Sequence, residues 1–146
     1  MRVQKSIDIN ATPAEIWPFF VEPDKVLQWM GTYKKFEFAS TQTTGVGTPY
    51  YIEEQAGGPL MKLHFEATDW KENQQLSLHM VSGTGVKSYR QLFTLESTPS
   101  GSRFTFMEEV VLPFGIIGKL IGLIGQRMSE AEVIKMQSKL KALAEA

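Results

Sequence analysis

The sequence contains no cysteine, so disulfides, thiolate nucleophiles and cysteine-ligated metal sites are excluded. It also has no excess of charge of either sign, because 15 basic and 16 acidic residues give a formal net charge of −1. Such a chain has no overall electrostatic field that would attract nucleic acid or an anionic membrane surface. We therefore predict that nucleic acid is not a partner.

Long hydrophobic runs are also missing. The most apolar stretch, residues 112–124, is interrupted by Pro113, Lys119 and three glycines, and it is too short to span a membrane. The first ten residues carry no apolar signal core. We expect a cytoplasmic protein with no integral membrane segment and no cofactor. The length predicts a single domain over residues 1–146.

Two short helices are predicted directly after a first strand at residues 2–9. Thr12 is a good N-cap for the first helix, and Glu15 is placed to complete a capping box with it. Pro23 ends this helix, and Asp24 is a suitable cap for the second one.

Most of the remaining chain alternates between apolar and polar residues with period two, which predicts β-strands. Short turns separate these strands, so neighbouring strands should pair antiparallel. The expected strands cover residues 33–40, 47–55, 60–70, 74–82, 86–97 and 102–112. With the first strand they predict an α+β fold of about seven antiparallel strands, followed by one long helix over residues 115–146.

The charges of the last hairpin indicate its register. If Glu96 faces Arg103, a second pair of opposite charges, Arg90 and Glu109, lies opposite each other on the same face. Two such pairs favour this register over a slip by one residue, which would invert both faces of the hairpin.

The preceding hairpin raises the question of a metal site. Matching its apolar faces places Leu63 opposite Met80 and His64 opposite His79, with Glu66 on the same face as the histidines. Two imidazoles and a carboxylate are suitable ligands for zinc. That face is the convex, solvent side of the sheet, however, so we predict exposed histidines and no metal.

Three segments carry structural motifs: Ile9–Trp17 at the first strand–helix junction, Thr44–Thr48 with its Gly-x-Gly, and Leu140–Glu145 at the end of the last helix. They resemble the START-like superfamily, which includes Bet v 1-like pollen allergens, activators of the Hsp90 ATPase and the polyketide cyclase/dehydrase and lipid transport group (SRPBCC). The resemblance covers the whole chain. It implies a helix-grip fold, in which a curved antiparallel sheet surrounds the long C-terminal helix and leaves an apolar cavity between them.

The last helix changes character along its length. At about 100° per residue, one side of its first half carries small residues: Gly118, Gly122, Gly125 and Ser129. In the second half, the same side carries large apolar residues: Val133, Met136, Leu140 and Leu143. The opposite side of the first half carries a second apolar set: Ile117, Leu120, Ile121, Ile124 and Met128.

Three interpretations of this helix remain open. The glycines face the sheet and leave a void, which exposes the isoleucine-rich side to a dimer partner or a membrane. Alternatively, the helix is kinked or broken near the glycines, and each half buries its own apolar stripe. In the third interpretation, the glycines allow another backbone to approach closely.

Glu108 is the most unusual polar residue, because the predicted register places it on the apolar inner face, opposite Gln91. Burial of a carboxylate raises its pKa, which would suit an acid, a base or a ligand anchor. The alternatives are that Glu108 lies at the cavity mouth in contact with water, or that it bonds Gln91 or Tyr89 for structural reasons.

Several aromatic residues lie on inner strand faces or on the short-helix rim: Trp29, Tyr50, Phe65, Tyr89 and Phe106. Each is a candidate for contact with a ligand, although ordinary core packing is the favoured role for any single one of them. With the polar pair and the small helix residues, the predicted ligand-binding set is Trp29, Tyr50, Phe65, Tyr89, Gln91, Phe106, Glu108, Gly122, Gly125 and Ser129.

We predict that the protein binds a small apolar or amphipathic molecule, for transport or sequestration. Members of the superfamily bind lipids, sterols or polyketides, and some are enzymes. Two alternatives are kept: a polyketide cyclase- or dehydrase-like enzyme with Glu108 and Tyr89 as acid/base residues, and a protein-interaction module. The latter would form a homodimer or bind a partner through Ile117, Leu120, Ile121 and Ile124.

Overall fold

The computed structural model describes residues 1–113 and 115–146, and for residues 116–124 it describes the helical backbone without the side chains. The elements follow the predicted order of a strand, short helices, six strands and a long helix. They are β1 (Arg2–Ile9), α1 (Pro13–Ile16), α2 (Pro18–Val21), α3 (Pro23–Trp29), β2 (Tyr33–Phe38), β3 (Pro49–Glu54), β4 (Met61–Lys71), β5 (Gln75–Gly83), β6 (Ser88–Thr98), β7 (Gly101–Val111) and α4 (Gly115–Glu145).

The predicted capping box at the start of α1 is confirmed. The Glu15 N–H donates to the Thr12 hydroxyl at 3.2 Å, and the Thr12 N–H donates to the Glu15 carboxylate at 3.3 Å. The first predicted helix is divided into α1 and α2. The prediction that Asp24 caps the next helix is wrong, because Pro23 is already the first residue of α3 and Glu22 is its N-cap.

All seven strands belong to one antiparallel sheet, in the order β1-β7-β6-β5-β4-β3-β2. The predicted register of the β6–β7 hairpin is confirmed, with Gln91 opposite Glu108. On the outer face, the Arg90 guanidinium donates to the Glu109 carboxylate at 2.9 Å. Glu108 therefore lies on the same inner face as the buried Phe106.

The predicted register of the β4–β5 hairpin is wrong. His64 faces Ser82 and His79 faces Glu66, so the two histidines are not opposite each other. The chain turns around Asn73 in the left-handed conformation (φ 64°), and Lys71 pairs with Gln75 at the start of β5. Two irregularities in the pairing of β4 change this register by one residue over Phe65–Ala67 and restore it at His64. Both histidines are exposed on the outer face, as expected.

Helix α4 runs without a break and packs against α3 and the edge strand β1. The apolar residues of its second half are buried as predicted: Val133, Met136 and Leu140. Helix side chains also donate hydrogen bonds to β1 carbonyls: Gln126 to Arg2 (2.6 Å), Gln137 to Lys5 (2.9 Å) and Lys141 to Asp8 (2.9 Å). These contacts cover the edge of the sheet and fix the face that the helix presents to it.

On the small-residue side of α4, the structure describes the surroundings of Gly125, which borders open space. A β-carbon at Gly125 would meet no atom of the described residues within 4 Å, so no close backbone approach occurs there. Because α4 is continuous, a broken helix is excluded. The directions of Ile117, Leu120, Ile121 and Ile124 lie outside the described side chains, and the exposed ridge stays a prediction.

Candidate functional site

A pocket of about 310 Å³ lies between α4 and the inner face of the sheet. This volume is at the lower end of the range for small-molecule sites. The middle of α4 forms one side with Met128, Ser129, Glu132, Val133 and Met136. The other side consists of the end of α3 with the following residues 30–32, the end of β3 with the loop at residues 55–57, and Glu108 of β7.

The pocket combines an apolar part with a polar part. Met30, Val133 and Met136 are almost fully buried and supply an apolar surface. The loop at residues 55–57 and Met128 are exposed, and these residues mark the mouth of the pocket. The described lining therefore offers an amphipathic molecule both an apolar contact and polar partners.

The polar part is built on β7 and β6. Glu108 is half-buried and lines the pocket, and the Tyr89 hydroxyl donates to its carboxylate at 3.1 Å. Behind this pair, the Gln91 amide donates to the Tyr33 hydroxyl at 2.7 Å and to the Tyr89 hydroxyl at 3.3 Å. The alternation of β6 places Tyr89 and Gln91 on one face, and the hairpin register brings them to Glu108.

Glu54 completes this cluster from the end of β3. Strand alternation places its side chain on the same face as Tyr50 and Ile52, which are both fully buried. The Thr32 hydroxyl donates to one Glu54 oxygen at 2.8 Å. The other oxygen, Oε1, is buried and has no hydrogen-bond partner among the described residues.

Burial controls the protonation of the cluster. Removal from water raises the pKa of Glu108 from 4.5 to about 7, and the nearby Glu54 carboxylate acts in the same direction. Burial also raises the pKa of Glu54, and the Thr32 hydrogen bond and the nearby Tyr89 hydroxyl oppose that change. The pKa values of the Tyr33 and Tyr89 phenols lie well above their ordinary range because both phenols are buried. With a pKa of about 7, Glu108 is poised to donate or accept a proton near neutral pH.

This geometry can be compared with known proteins. Residues 1–145 match the model of the family described as polyketide cyclase / dehydrase and lipid transport. The chain belongs to this family. No curated protein sequence matches the chain.

Solved structures agree with the family on the fold. Protein TTHA0849 from Thermus thermophilus has a TM-score of 0.83 at 15% identity, over 99% of this chain and 97% of that one. A START superfamily protein from Mycobacterium smegmatis has a TM-score of 0.65 at 17% identity, over 93% and 97%. Ara h 8.0201 has a TM-score of 0.67 at 11% identity, over 96% of this chain and 97% of that one.

Among the described residues, no helix combines the length and hydropathy needed to cross a membrane.

The structure brings together only part of the predicted ligand-binding set. Glu108 and Ser129 line the pocket, and Tyr89 and Gln91 lie directly behind Glu108. Gly125 borders open space, and Gly122 lies outside the described side chains. Ligand contact for all these residues stays a prediction.

The other four predicted residues pack in the core of this family member, away from the described pocket lining. Trp29 contacts Phe20, Phe93 and Phe104, and its indole N–H donates to the Phe19 carbonyl at 2.8 Å. Tyr50, Phe65 and Phe106 are likewise almost fully buried among aromatic neighbours. Their geometry favours the core-packing interpretation.

Sequence reasoning missed five polar residues of the site: Thr32, Tyr33, Glu54, Gln55 and Glu132. The signal for Glu54 was present, because Tyr50 and Ile52 were expected to face inward and Glu54 continues their alternation. Thr32 and Tyr33 had no comparable signal in the sequence, because their contacts with Glu54 of β3 and Gln91 of β6 form only in the folded protein.

In the described part of the chain, no group of three or more His, Cys, Asp or Glu residues is arranged to hold a metal ion.

Proposed function

We propose that the protein binds a small amphipathic molecule in the pocket between α4 and the sheet. The observation that carries this proposal is the pairing of an apolar methionine- and valine-lined surface with three carboxyl groups inside one concavity. Burial of apolar ligand surface would supply the driving force, at about 25 cal/mol per Å². The family relationship supports this function, since its description includes lipid transport.

A pocket-filling variant tests the proposal. Ser129 lines the pocket from α4, so the phenyl ring of Ser129→Phe would occupy the space that a ligand needs. Ile134 lies on the same helix with 51% of its surface exposed, and Ile134→Phe is the matched control. We expect the neutral fluorophore N-phenyl-1-naphthylamine to bind the wild type and Ile134→Phe. Ser129→Phe should bind it at least about tenfold more weakly.

Equal binding of the fluorophore by Ser129→Phe and the wild type would contradict the proposed site. Circular dichroism and the midpoint of urea unfolding identify any variant that is misfolded. Native mass spectrometry of the purified protein provides an independent observation, because a co-purified small molecule should be lost from Ser129→Phe and retained by Ile134→Phe.

A second candidate function is supported by the protonation of Glu108. A carboxyl group with a pKa of about 7, in contact with Tyr89 and open to a pocket, is suited to general acid–base chemistry. We propose as the alternative that Glu108 removes a proton next to a ligand carbonyl and returns it, as a cyclase or dehydrase requires.

Isotope exchange tests this alternative directly. With 2-octanone in D₂O, the Glu108 carboxylate would take a proton from the α-carbon and a deuteron would replace it, which proton NMR detects. We expect Glu108→Gln to abolish the exchange while octanone binding survives. The control is Glu109→Gln, because Glu109 lies on the outer face of the same strand. Exchange at the buffer rate in the wild type would remove this candidate.

A further inference from the structure

The charge of the pocket lining is of one sign. Its described residues include three carboxylates, Glu54, Glu108 and Glu132, and no lysine, arginine or histidine. Glu54 lies on β3 and Glu108 lies on β7, which are not neighbours in the sheet. The negative charge of Glu54 is nevertheless close enough to disfavour ionisation of Glu108. An anionic ligand would meet repulsion here and no compensating cation.

Glu54 supplies the second, independent observation. Its side chain lines the pocket with only 6% of its surface exposed, and Oε1 accepts no hydrogen bond from the described residues. A buried acceptor without a donor destabilises a protein by about 1–3 kcal/mol. The Thr32 hydroxyl satisfies only the other oxygen, so the carboxylate retains capacity for one more donor at the pocket.

The neighbouring hydroxyls do not fill this role. The Tyr89 hydroxyl lies close to Glu54 as well, but it donates its one proton to Glu108. The Gln91 amide uses its donors on Tyr89 and Tyr33. The cluster therefore presents acceptors to the pocket, and a ligand that supplies several donors and a positive charge matches it best.

We propose that the ligand is a cationic amphiphile, whose primary ammonium group binds between Glu54 and Glu108 and whose apolar tail contacts Met30, Val133 and Met136. This inference rests on the proposed binding function and specifies the chemical class of the ligand. An ammonium group has three donors, so it can satisfy Glu54 Oε1 and Glu108 together. An alcohol provides one donor and leaves the negative charge uncompensated.

Three probes with the same tail separate these possibilities: octylamine, 1-octanol and octanoate. Isothermal titration calorimetry at pH 7 should give the tightest binding for octylamine. We expect its dissociation constant to be at least about tenfold lower than that of 1-octanol, as for one added charge-assisted hydrogen bond. Octanoate should bind most weakly, because its carboxylate adds to the negative charge.

A conservative variant tests whether Glu54 causes the preference for the amine over the alcohol. Glu54→Gln keeps the shape of the side chain and removes the charge, so octylamine should lose about tenfold in affinity while 1-octanol changes by less than about threefold. The control is Glu53→Gln, because Glu53 points to the other face of β3 and accepts from the Tyr51 hydroxyl. The control should keep the wild-type preference for the amine.

The outcomes distinguish the two proposals. Equal affinity of the wild type for all three probes, or tighter binding of octanoate, would overturn the cationic ligand and leave the binding function in place. An amine preference that survives in Glu54→Gln would also overturn it. Failure of every probe to bind the wild type would overturn both proposals.

Discussion

Replacement of Glu108 by glutamine should stabilise the protein at neutral and alkaline pH. In the folded protein, burial and the Glu54 charge raise the pKa of Glu108 from 4.5 to about 7. Between these two values the unfolded chain has released the Glu108 proton, whereas the folded protein still holds it. Unfolding therefore releases a proton in this window, and the free energy of unfolding falls as the pH rises through it.

The size of the effect follows from the two pKa values. A pKa raised from 4.5 to about 7 corresponds to about 3 kcal/mol of destabilisation once the folded protein is ionised. Glu108 is half-buried and keeps some contact with water, so we expect about 1–3 kcal/mol. The amide of Glu108→Gln carries no charge and its oxygen can still accept from the Tyr89 hydroxyl.

Urea unfolding followed by tryptophan fluorescence between pH 4.5 and 8.5 measures this effect. Glu108→Gln should be more stable than the wild type at the alkaline end, and the difference should vanish at the acid end. Glu109→Gln is the matched control with the opposite sign, because the Arg90 hydrogen bond lowers the pKa of Glu109. Its loss of stability should persist throughout this pH range, because it declines only as the pH falls below the ordinary carboxyl pKa of 4.5. A pH-independent effect of Glu108→Gln, or a destabilisation at pH 8, would refute the reasoning.

Three further predictions concern the fold, and urea unfolding measures each of them. Thr12→Ala removes the N-cap of α1 and should cost about 1 kcal/mol, whereas Thr12→Ser should cost less than half of that. Leu140→Ala should cost about 2–5 kcal/mol because Leu140 is fully buried, while Ile134→Ala at an exposed site of the same helix should cost under about 1 kcal/mol. Gly101→Ala should destabilise by more than about 1 kcal/mol, since φ is 149° and its β-carbon would clash with the Ile9 carbonyl. A variant whose free energy of unfolding falls by less than stated, or by no more than that of its control, would contradict the contact on which its prediction rests.

The strands and the last hairpin could be predicted because their signals are local. Period-two alternation identified all seven strands, and the opposite charges of Arg90 and Glu109 fixed the β6–β7 register. The β4–β5 register failed because the turn around the left-handed Asn73 sets a different pairing at the start of β5, and two irregularities inside β4 interrupt that pairing locally. Such irregularities change the pairing without changing the alternation that the sequence displays.

The residues of the site could likewise be predicted only where their signals are local. Glu108 and Gln91 followed from one hairpin, so their meeting was expected, whereas Tyr33 reaches Gln91 from β2 across the fold. The aromatic candidates were ambiguous because an inward-facing ring can pack in the core or line a cavity, and Trp29 is buried among other aromatic rings. Cytoplasmic location and dimerisation through the first half of α4 stay predictions.

Methyl NMR of the methionines tests the central claim, ligand binding between α4 and the sheet, most directly. The chain has seven methionines, of which Met30, Met128 and Met136 line the pocket. Met80 and Met107 lie on β5 and β7, outside the described pocket lining, and serve as internal controls. Titration of ¹³C-methyl-labelled protein with octylamine should shift the three pocket signals and leave the two control signals in place. Unchanged pocket signals at saturating octylamine, or shifts confined to the control methionines, would contradict the account.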